Sequence, residues 1–284
     1  MPKPLFSIII PTYARPDLLR EAIGSVLAQT VEDFECLVVD DASPSPVMVK
    51  DDRRVRVIHR SKNGGPAAAR NTGLRAATGQ YVTFLDDDDL YTPDRLAIAL
   101  EGLKHAGLAT CWMRYLDAPP GGNRILDERA SETILDGLTP NVGTAVVERA
   151  VISPFDEQFM AAEDIEWWLR MAQVSTVHTV TKIGYLMRRH QGPRYGIDAA
   201  ARVRGRLLLL HIHAAYFATR PRASTFQWKR LGLLARESGD YAFARTAFLR
   251  SMRMSPTIAT FWHLVRSCRP SKKRRLNCTS TSSR

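Results

Sequence analysis

Residues 63–89, NGGPAAARNTGLRAATGQYVTFLDDDD, decide the fold of this chain. Gly64-Gly65-Pro66 opens a predicted helix that Gly79 closes, because Pro suits the first turn of a helix and Gly suits its end. Tyr81–Leu85 is then an apolar run with the length of a buried strand, and it leads directly into Asp86-Asp87-Asp88-Asp89. A helix followed by a buried strand is part of a βαβ unit, the building block of parallel sheets.

The same alternation continues on both sides of this stretch. Leu5–Ile10 is a β-branched apolar run typical of a buried parallel strand, and Pro11 is expected to end it. The pattern predicts an α/β fold whose ligands bind beyond the carboxyl ends of the strands. The other predicted elements are helices over 17–29, 93–105 and 163–173, and strands over 34–39, 55–59, 109–115, 144–147, 176–180 and 183–187.

The C-terminal part of the chain has a different character. From Asp198 onward it is predicted to be helical in about four segments, one of which, 238–256, resembles a single tetratricopeptide-type helix pair. We therefore expect three parts: an α/β domain over 1–195, a helical region over 196–268, and a disordered basic tail over 269–284.

Charge follows the same division. The chain carries a net charge of +11, yet residues 1–187 hold 19 Lys and Arg against 26 Asp and Glu, whereas residues 188–284 hold 21 against 3. A basic C-terminal region suits an anionic membrane surface, although a solvated helical surface explains it equally well. The four cysteines show no metal-binding or disulfide spacing, and no apolar run is long enough for a signal peptide or a membrane span. We therefore expect a cytoplasmic protein, with a peripheral position at the inner face of the membrane as an extension of that hypothesis.

The acidic run Asp86–Asp89 is the first candidate site. Adjacent carboxylates repel one another unless a cation lies among them, and hard oxygen ligands suit Mg²⁺ or Mn²⁺. Such a metal can neutralise a diphosphate leaving group. The alternative is a solvated acidic turn before the helix that starts near Pro93, and Asp89 in particular is interpreted as a residue of that helix start.

Two other groups are expected to share its crevice. Asp40-Asp41 follows the second strand and could bind a nucleobase or a ribose hydroxyl, or could form a turn before Pro44. Arg70, early in the Gly-rich helix, could bind a phosphate or an acidic side chain. Neither a dinucleotide-binding nor a P-loop glycine pattern occurs.

Two more candidates are weak on spacing alone. Glu163-Asp164 opens a helix, where acids gain from the helix dipole whether or not they act as a general base. His190 is a lone histidine after two arginines, and such residues are more often structural than ligands.

Taken together, four segments resemble family-two glycosyltransferases of the GT-A fold. The matching stretches, in the family's order and within residues 5 to 190, are SIIIPTYARPDLLREAIGSVLAQT, FECLVVDDAS, NGGPAAARNTGLRAATGQYVTFLDDDD and FDEQFMAAEDIEWWLRM. The resemblance implies a Rossmann-like mixed sheet flanked by helices, here with an α-helical C-terminal extension. It also implies an enzyme that moves a sugar, with inversion, from a nucleoside-diphosphate donor, most often a UDP-sugar, to an acceptor hydroxyl in cell-surface polysaccharide or glycan synthesis.

The resemblance also assigns roles to residues. Asp164 matches the catalytic base, and Asp88 matches the direct ligand of Mn²⁺ or Mg²⁺, with Asp86 and His190 as further ligands. The nucleotide-sugar is expected to contact Pro11, Thr12, Tyr13, Asp40, Asp41, Arg70, Asp86 and Asp87.

The expected partners are the donor and a glycan or lipid-linked acceptor, and nucleic acid is not among them. The sequence leaves two rivals: a metal-dependent nucleotidyltransferase, and a non-catalytic scaffold with a transferase-like domain. The segment before Phe155-Asp156-Glu157 lacks the Gly-Gly that many family members carry, so the acceptor loop is expected to have its own shape.

Overall fold

A computed structural model describes residues 3–49, 51–117, 123–124, 134, 136, 139–189 and 199–267. The chain divides into two compact units, Met1–Asp198 and Ala199–Arg284. Each unit is described separately below.

The first unit is built on one mixed sheet. Its described strands are β1 Phe6–Thr12, β2 Phe34–Asp40, β3 Val55–His59, β4 Tyr81–Phe84, β5 Leu90–Tyr91, β6 Leu108–Tyr115, β7 Asn123–Arg124, β8 Val146–Glu148 and β9 Val177–Met187. They pair in the order β3-β2-β1-β4-β8-β6-β9-β5, and β7 pairs with β6. Strands β1 to β4 are parallel, whereas β8 runs antiparallel to both of its neighbours. The mixed sheet that the sequence predicted is confirmed.

Helices cover both faces of this sheet. They are α1 Pro16–Leu27, α2 Gly65–Ala76, α3 Arg95–Leu103 and α4 Glu163–Val174. Because side chains alternate along a strand, Ile8 and Ile10 of β1 pack in the cluster that contains the apolar faces of α1 and α3. Ile9 instead packs with residues of α2 and α4, including the fully buried Trp167 and Trp168. A strand buried on both faces explains the continuous apolar run in the sequence.

Two expectations about strand limits were wrong. Pro11 does not end β1, which continues to Thr12 beside β2. The backbone of Pro11 faces the β4 side, where pairing has already ended at Ile9, so its missing amide breaks no ladder bond. The two strands predicted over 176–187 are one strand, β9, whose pairing with β6 shifts register near Trp112. The bulge accommodates Thr181 and Lys182, the polar residues between the two apolar halves, so that β9 continues as a single strand.

The second unit is helical. Its described helices are α5 Ala199–Ile212, α6 Ala214–Ala218, α7 Pro221–Glu237, α8 Tyr241–Met254 and α9 Ile258–Ser267. The stretch 238–256, predicted to form a helix pair, contains the single helix α8, and α7 ends just before it at Glu237. Gly239 turns the chain at φ 85°, and Asp240 caps α8 by accepting a hydrogen bond from the Phe243 amide. None of the helices that the structure describes is long and apolar enough to cross a membrane.

Candidate active site

The carboxyl ends of β1, β2 and β4 meet at one edge of the sheet. Thr12, at the end of β1, donates a hydrogen bond of 2.7 Å from Oγ1 to Oδ2 of Asp87, which follows β4. The Asp41 amide, after β2, donates to the Thr12 carbonyl at 2.9 Å. Parallel strands bring their carboxyl ends to the same edge, and the polar residues that the sequence marked after these three strands therefore lie together.

Three carboxylates of the acidic run converge. One oxygen from each of Asp86, Asp88 and Asp89 lies within 4.8 Å of the others. Three hard oxygen donors at this spacing fit a divalent ion such as Mg²⁺ or Mn²⁺, which prefers carboxylate oxygen. Asp86 and Asp88 were predicted for this role, and Asp89 was not.

Asp89 does not start a helix, so that interpretation was wrong. Helix α3 begins at Arg95, and Asp94 takes its N-cap position. Asp89 is buried and accepts hydrogen bonds from the Tyr185 hydroxyl and the Arg188 amide, both at 2.7 Å. Burial, and then the negative charges of Asp86 and Asp88, raise the pKa of the Asp89 carboxyl. A cation among these groups would remove that repulsion.

Asp87 is not part of this trio, and its contacts are with the end of β1 and the residues after it. Its two oxygens accept hydrogen bonds from Thr12 and from Nη1 of Arg15, the latter at 3.0 Å. Burial raises the pKa of Asp87 to about 6, and the Thr12 and Arg15 contacts oppose that rise. Asp87 thus holds the loop after β1 against the acidic run.

Arg70 joins the acidic run to helix α4. Its Nη2 donates to Asp86 at 2.8 Å, and its Nη1 donates to Glu163 at 2.9 Å. Burial and the charge of Asp164 raise the pKa of Glu163, and Arg70 opposes the rise. Asp164, the predicted base, is the next residue in the same helical turn and is half-buried. The ion pairs therefore place the N-terminus of α4 beside the acidic run.

Asp40 and Asp41 have different surroundings. Asp41 accepts hydrogen bonds from the amides of Gly64 and Gly65, the start of α2, and from Arg60 at 2.5 Å. Asp40 accepts from the amides of Ser43 and Val47 and contacts His59 at 3.0 Å.

These contacts set the charge of Asp40. Burial alone raises its pKa, but the hydrogen bonds from Ser43, His59 and Val47 lower it below the ordinary value. The contacts match the turn interpretation of Asp40. Asp41 instead fixes the Gly-rich turn against the end of β2.

The remaining predicted residues lie at the rim or outside the described chain. Pro11 is half-buried and Tyr13 is 46% exposed, so the Tyr13 ring is open to a ligand. His190 falls outside the described residues.

Three alanines mark the loops around this edge of the sheet. Ala14 after β1, Ala42 after β2 and Ala162 before α4 have positive φ values of 55°, 62° and 68°. Among the described residues, no other residue apart from glycine has a positive φ. A positive φ costs an L-residue about 1–2 kcal/mol. Contacts with the surrounding structure must therefore hold these three turns in place.

The sequence did not identify Arg15, Arg188 or Tyr185 as members of this group, and it named Glu163 only together with Asp164 as an acid at a helix start. Tyr185 and Arg188 reach the acidic run because β5, only two residues long, pairs with β9 at Leu186 and Tyr185. Such a short strand leaves no periodic signal. Arg15 follows Tyr13 closely, and that proximity to the predicted nucleotide-contacting residues is the one signal that could have found it.

The fold and the site together define a class of α/β protein. In this class an acidic run follows a buried parallel strand, and here Arg70 ties that run to the acidic start of helix α4. The sequence model of glycosyl transferase family 2 matches residues 7–143. An uncharacterized glycosyltransferase of Haemophilus influenzae is 33% identical over 180 residues, which are 60% of this chain and 72% of that protein. The chain belongs to glycosyl transferase family 2.

A second relative has a specific name. UDP-Glc:alpha-D-GlcNAc-diphosphoundecaprenol beta-1,3-glucosyltransferase WfgD of Escherichia coli is 28% identical over 186 residues, 62% of this chain and 73% of WfgD. Other relatives are longer proteins, and the chain spans only 31% to 36% of the length of three of them.

Solved structures share the fold. Mannosyltransferase PcManGT from Pyrobaculum calidifontis, determined in complex with GDP-Man and Mn²⁺, has a TM-score of 0.57 and 19% sequence identity. The match covers 94% of this chain and 80% of that one. The fold is therefore the GT-A fold, as the sequence predicted.

Proposed function

We propose that this chain is a glycosyltransferase that moves a sugar from a nucleoside-diphosphate donor, preferentially a UDP-sugar, to an acceptor hydroxyl with inversion at the transferred carbon. The acceptor is a glycan or a lipid-linked glycan in polysaccharide synthesis. Family membership and the relative that uses UDP-Glc and a diphosphoundecaprenol-linked acceptor support this choice. The observation that carries the proposal is the acidic run, converged at the carboxyl edge of the sheet and tied through Arg70 to the start of α4.

The donor side of the site rests on the strand ends. Pro11 and Thr12 at the end of β1, Tyr13 just after it and Asp41 after β2 are the residues proposed to contact the nucleoside, with Asp40 supporting the turn beside Asp41. Arg70 is nine-tenths buried and stacks on Phe155 at 5.4 Å. Its Nε is buried and has no hydrogen-bond partner among the described residues, so the two ion pairs are the contacts through which Arg70 supports the site.

Asp88 and Asp86 are the proposed ligands of Mn²⁺ or Mg²⁺, and their geometry now adds Asp89. His190 stays a proposed ligand from the family resemblance. When bound, the ion supplies positive charge that stabilises the nucleoside diphosphate as it leaves. The Mn²⁺ complex of the mannosyltransferase of similar fold is consistent with this proposal.

Asp164 is the proposed general base. It lies in the first turn of α4, which Glu163 and Arg70 fix beside the acidic run. A carboxylate there can accept the proton of the acceptor hydroxyl while that oxygen attacks the sugar from the face opposite the diphosphate, which gives inversion in a single displacement. Glu163 is a positioning residue, because its carboxylate is already engaged with Arg70.

The direct test is a panel of UDP-, GDP- and dTDP-sugars with Mn²⁺ or Mg²⁺, read by the release of nucleoside diphosphate. We expect release from at least one UDP-sugar, and a larger rate when a lipid-linked glycan acceptor is added. Release of pyrophosphate from a sugar phosphate and a nucleoside triphosphate would instead identify the rival nucleotidyltransferase. No turnover of any donor, with the metal and nucleotide bound, would favour the scaffold.

We also propose the layout predicted from the sequence: a transferase domain over 1–195, a helical region over 196–268 and a basic tail over 269–284, in a cytoplasmic protein that touches the inner face of the membrane. Cys36 and Cys111 are buried free thiols, which suits a reducing compartment. Residues 199–267 carry 12 Lys and Arg against 2 Asp and Glu. An anionic membrane is the complementary surface.

Helix α9 strengthens the membrane proposal. Ile258, Phe261 and Trp262 lie on one side of it and are 80%, 48% and 56% exposed, while Thr260 and Ser267 on the other side are buried. An exposed aromatic stripe on a basic helical unit is typical of helices that lie in the membrane interface. The basic run Lys272–Arg275 follows in the sequence.

Vesicle flotation tests both elements. We expect Phe261→Ala with Trp262→Ala, and separately the loss of residues 270–284, each to lower binding to anionic vesicles by about tenfold. The control is Met48→Ala, which removes an apolar side chain that is 89% exposed in the first unit. If the double variant binds vesicles as well as the wild type does, α9 has no role in membrane binding. If the shortened chain binds as well as the wild type does, the tail has none.

A further inference from the structure

Arg15 occupies an unusual position in the acidic run. A single nitrogen of its guanidinium, Nη1, lies 3.0 Å from Asp87 and 2.8 Å from Asp88. Its side chain is 25% exposed, so the contact is partly sheltered from water. No other described arginine or lysine bridges two members of the run through one atom.

The loop after β1 fixes this position. Ala14, the preceding residue, has a φ of 55°, and its amide donates to the Ser43 hydroxyl at 2.9 Å. Arg15 itself is the N-cap residue of α1, and its carbonyl accepts the first helical bond from Leu19. The backbone of Arg15 is therefore held on both sides, and only its side chain is left to move.

The two aspartates that Arg15 bridges have different roles. Asp87 accepts from Thr12 with its other oxygen and is not part of the converged trio, so it acts as an anchor. Asp88 belongs to the trio, and Arg15 engages its Oδ2. A guanidinium and a divalent ion both neutralise carboxylates, and two cations held on the same carboxylate repel each other and compete for its charge.

We infer that Arg15 is an internal counter-ion of Asp88 that a divalent metal must displace, and that the released guanidinium then binds the diphosphate of the donor. This inference rests on the proposed function and adds a donor-binding residue to it. Arg15 keeps Asp88 neutralised before the metal arrives and couples metal entry to nucleotide binding. Removal of the guanidinium therefore has opposite effects on two affinities.

The test compares Arg15→Gln with the wild type by calorimetric titration. Without nucleotide, the Mn²⁺ dissociation constant of R15Q is expected to fall by about tenfold, because its competitor is gone. At saturating Mn²⁺, the affinity for whichever of UDP, GDP and dTDP the wild type binds most tightly is expected to fall by about tenfold. Arg15→Lys keeps the charge, so both of its affinities are expected to lie between those of the wild type and those of R15Q.

The control is Arg20→Gln, one turn along α1, whose guanidinium is 76% exposed and pairs with Asp17. It should change neither affinity. An R15Q chain that melts as the wild type does but binds Mn²⁺ no more tightly would overturn the competition, and unchanged nucleotide affinity would overturn the diphosphate contact. Mn²⁺ binding by R15Q alone would support the inference, whereas binding by neither chain would overturn both the inference and the metal site.

The outcomes separate this inference from the proposed function. Sugar transfer by a wild type whose Mn²⁺ affinity does not respond to R15Q leaves the transferase intact and removes only the role of Arg15. If the wild type transfers no sugar but R15Q still shows the two opposite affinity changes, the counter-ion role of Arg15 stands and the proposed reaction does not.

Discussion

At the scale of the residue, the four adjacent aspartates have four different surroundings. Asp86 pairs with Arg70, Asp87 anchors Thr12 and Arg15, Asp88 meets Arg15, and Asp89 is buried under Tyr185. Four identical residues in a row give no local signal that distinguishes their surroundings. Those surroundings depend on the backbone turn after β4 and on the strands that flank it. The carboxylates of Asp86 and Asp88 lie together and their role as ligands stays a prediction, while the helix-start role given to Asp89 was wrong.

A substitution of the proposed base is the clearest test at this scale. Asp164→Asn keeps the shape and the helix-start preference of the side chain, but it cannot accept the acceptor proton. We expect kcat to fall by at least about 100-fold with little change in the donor KM.

The matched control for that variant is Asp17→Asn, an aspartate in the first turn of α1 whose side chain is 84% exposed. It should transfer sugar at the wild-type rate. Full activity of D164N, measured with a confirmed donor and acceptor, would remove Asp164 from the mechanism.

At the scale of the element, the pairing of β5 with β9 completes the site. This pairing brings Tyr185 and Arg188 to Asp89, and the 3₁₀ turn Val142–Thr144 packs directly on the Tyr185 ring. A Cβ on Gly143 would lie 2.2 Å from that ring. The turn and the strand thus fit together only with glycine at this position.

Gly143→Ala tests this packing. We expect it to lower the free energy of unfolding of the first unit by about 1–3 kcal/mol, because the ring must move, and to weaken Mn²⁺ binding by displacing Tyr185 from Asp89. Denaturant titration and metal titration measure the two effects.

The control is Gly24→Ala in the middle of α1, where a new Cβ meets nothing within 4 Å. That change is expected to raise stability by about 0.5–1 kcal/mol, since alanine is the better helix former. Equal stability of the two alanine variants would show that the Gly143 contact does not constrain the site.

The elements also show what sequence patterns can and cannot reach. The apolar run of β1 and the Pro and Gly that bound α2 are local signals, so the parallel half of the sheet was predictable. The position of Arg188 over the carbonyl of Asp88 depends on residues a hundred positions apart, and the sequence contains no local trace of it. The same holds for Glu163, which pairs with Arg70 across 93 positions.

At the scale of the whole molecule, the two units divide the work that we propose. The acidic first unit contains every described contact of the candidate site, and the basic second unit carries the exposed aromatic stripe of α9. The charge asymmetry predicted this division, whereas the helix that carries the stripe had to be seen in three dimensions.

Metal binding is expected to stabilise the first unit as a whole. A ligand present at about 100 times its Kd that binds only the folded state adds about 2.7 kcal/mol, which is roughly 5–10 °C in Tm for a unit of this size. Thermal melts in EDTA and in Mn²⁺ measure the shift. Asp88→Asn should lose most of it and Asp17→Asn should keep it, so an equal shift in both variants would place the ion elsewhere.

The three left-handed alanines have a consequence for engineering this protein. Ala14, Ala42 and Ala162 each carry strain of about 1 kcal/mol, so glycine at these positions is an obvious choice for anyone who selects variants for thermal tolerance alone. Glycine would also release the loops that aim Arg15, Asp41 and Asp164. A selection for heat resistance and a selection for turnover would therefore diverge first at these three positions, and a heat-stable version of the protein is better sought on helix surfaces such as Gly24.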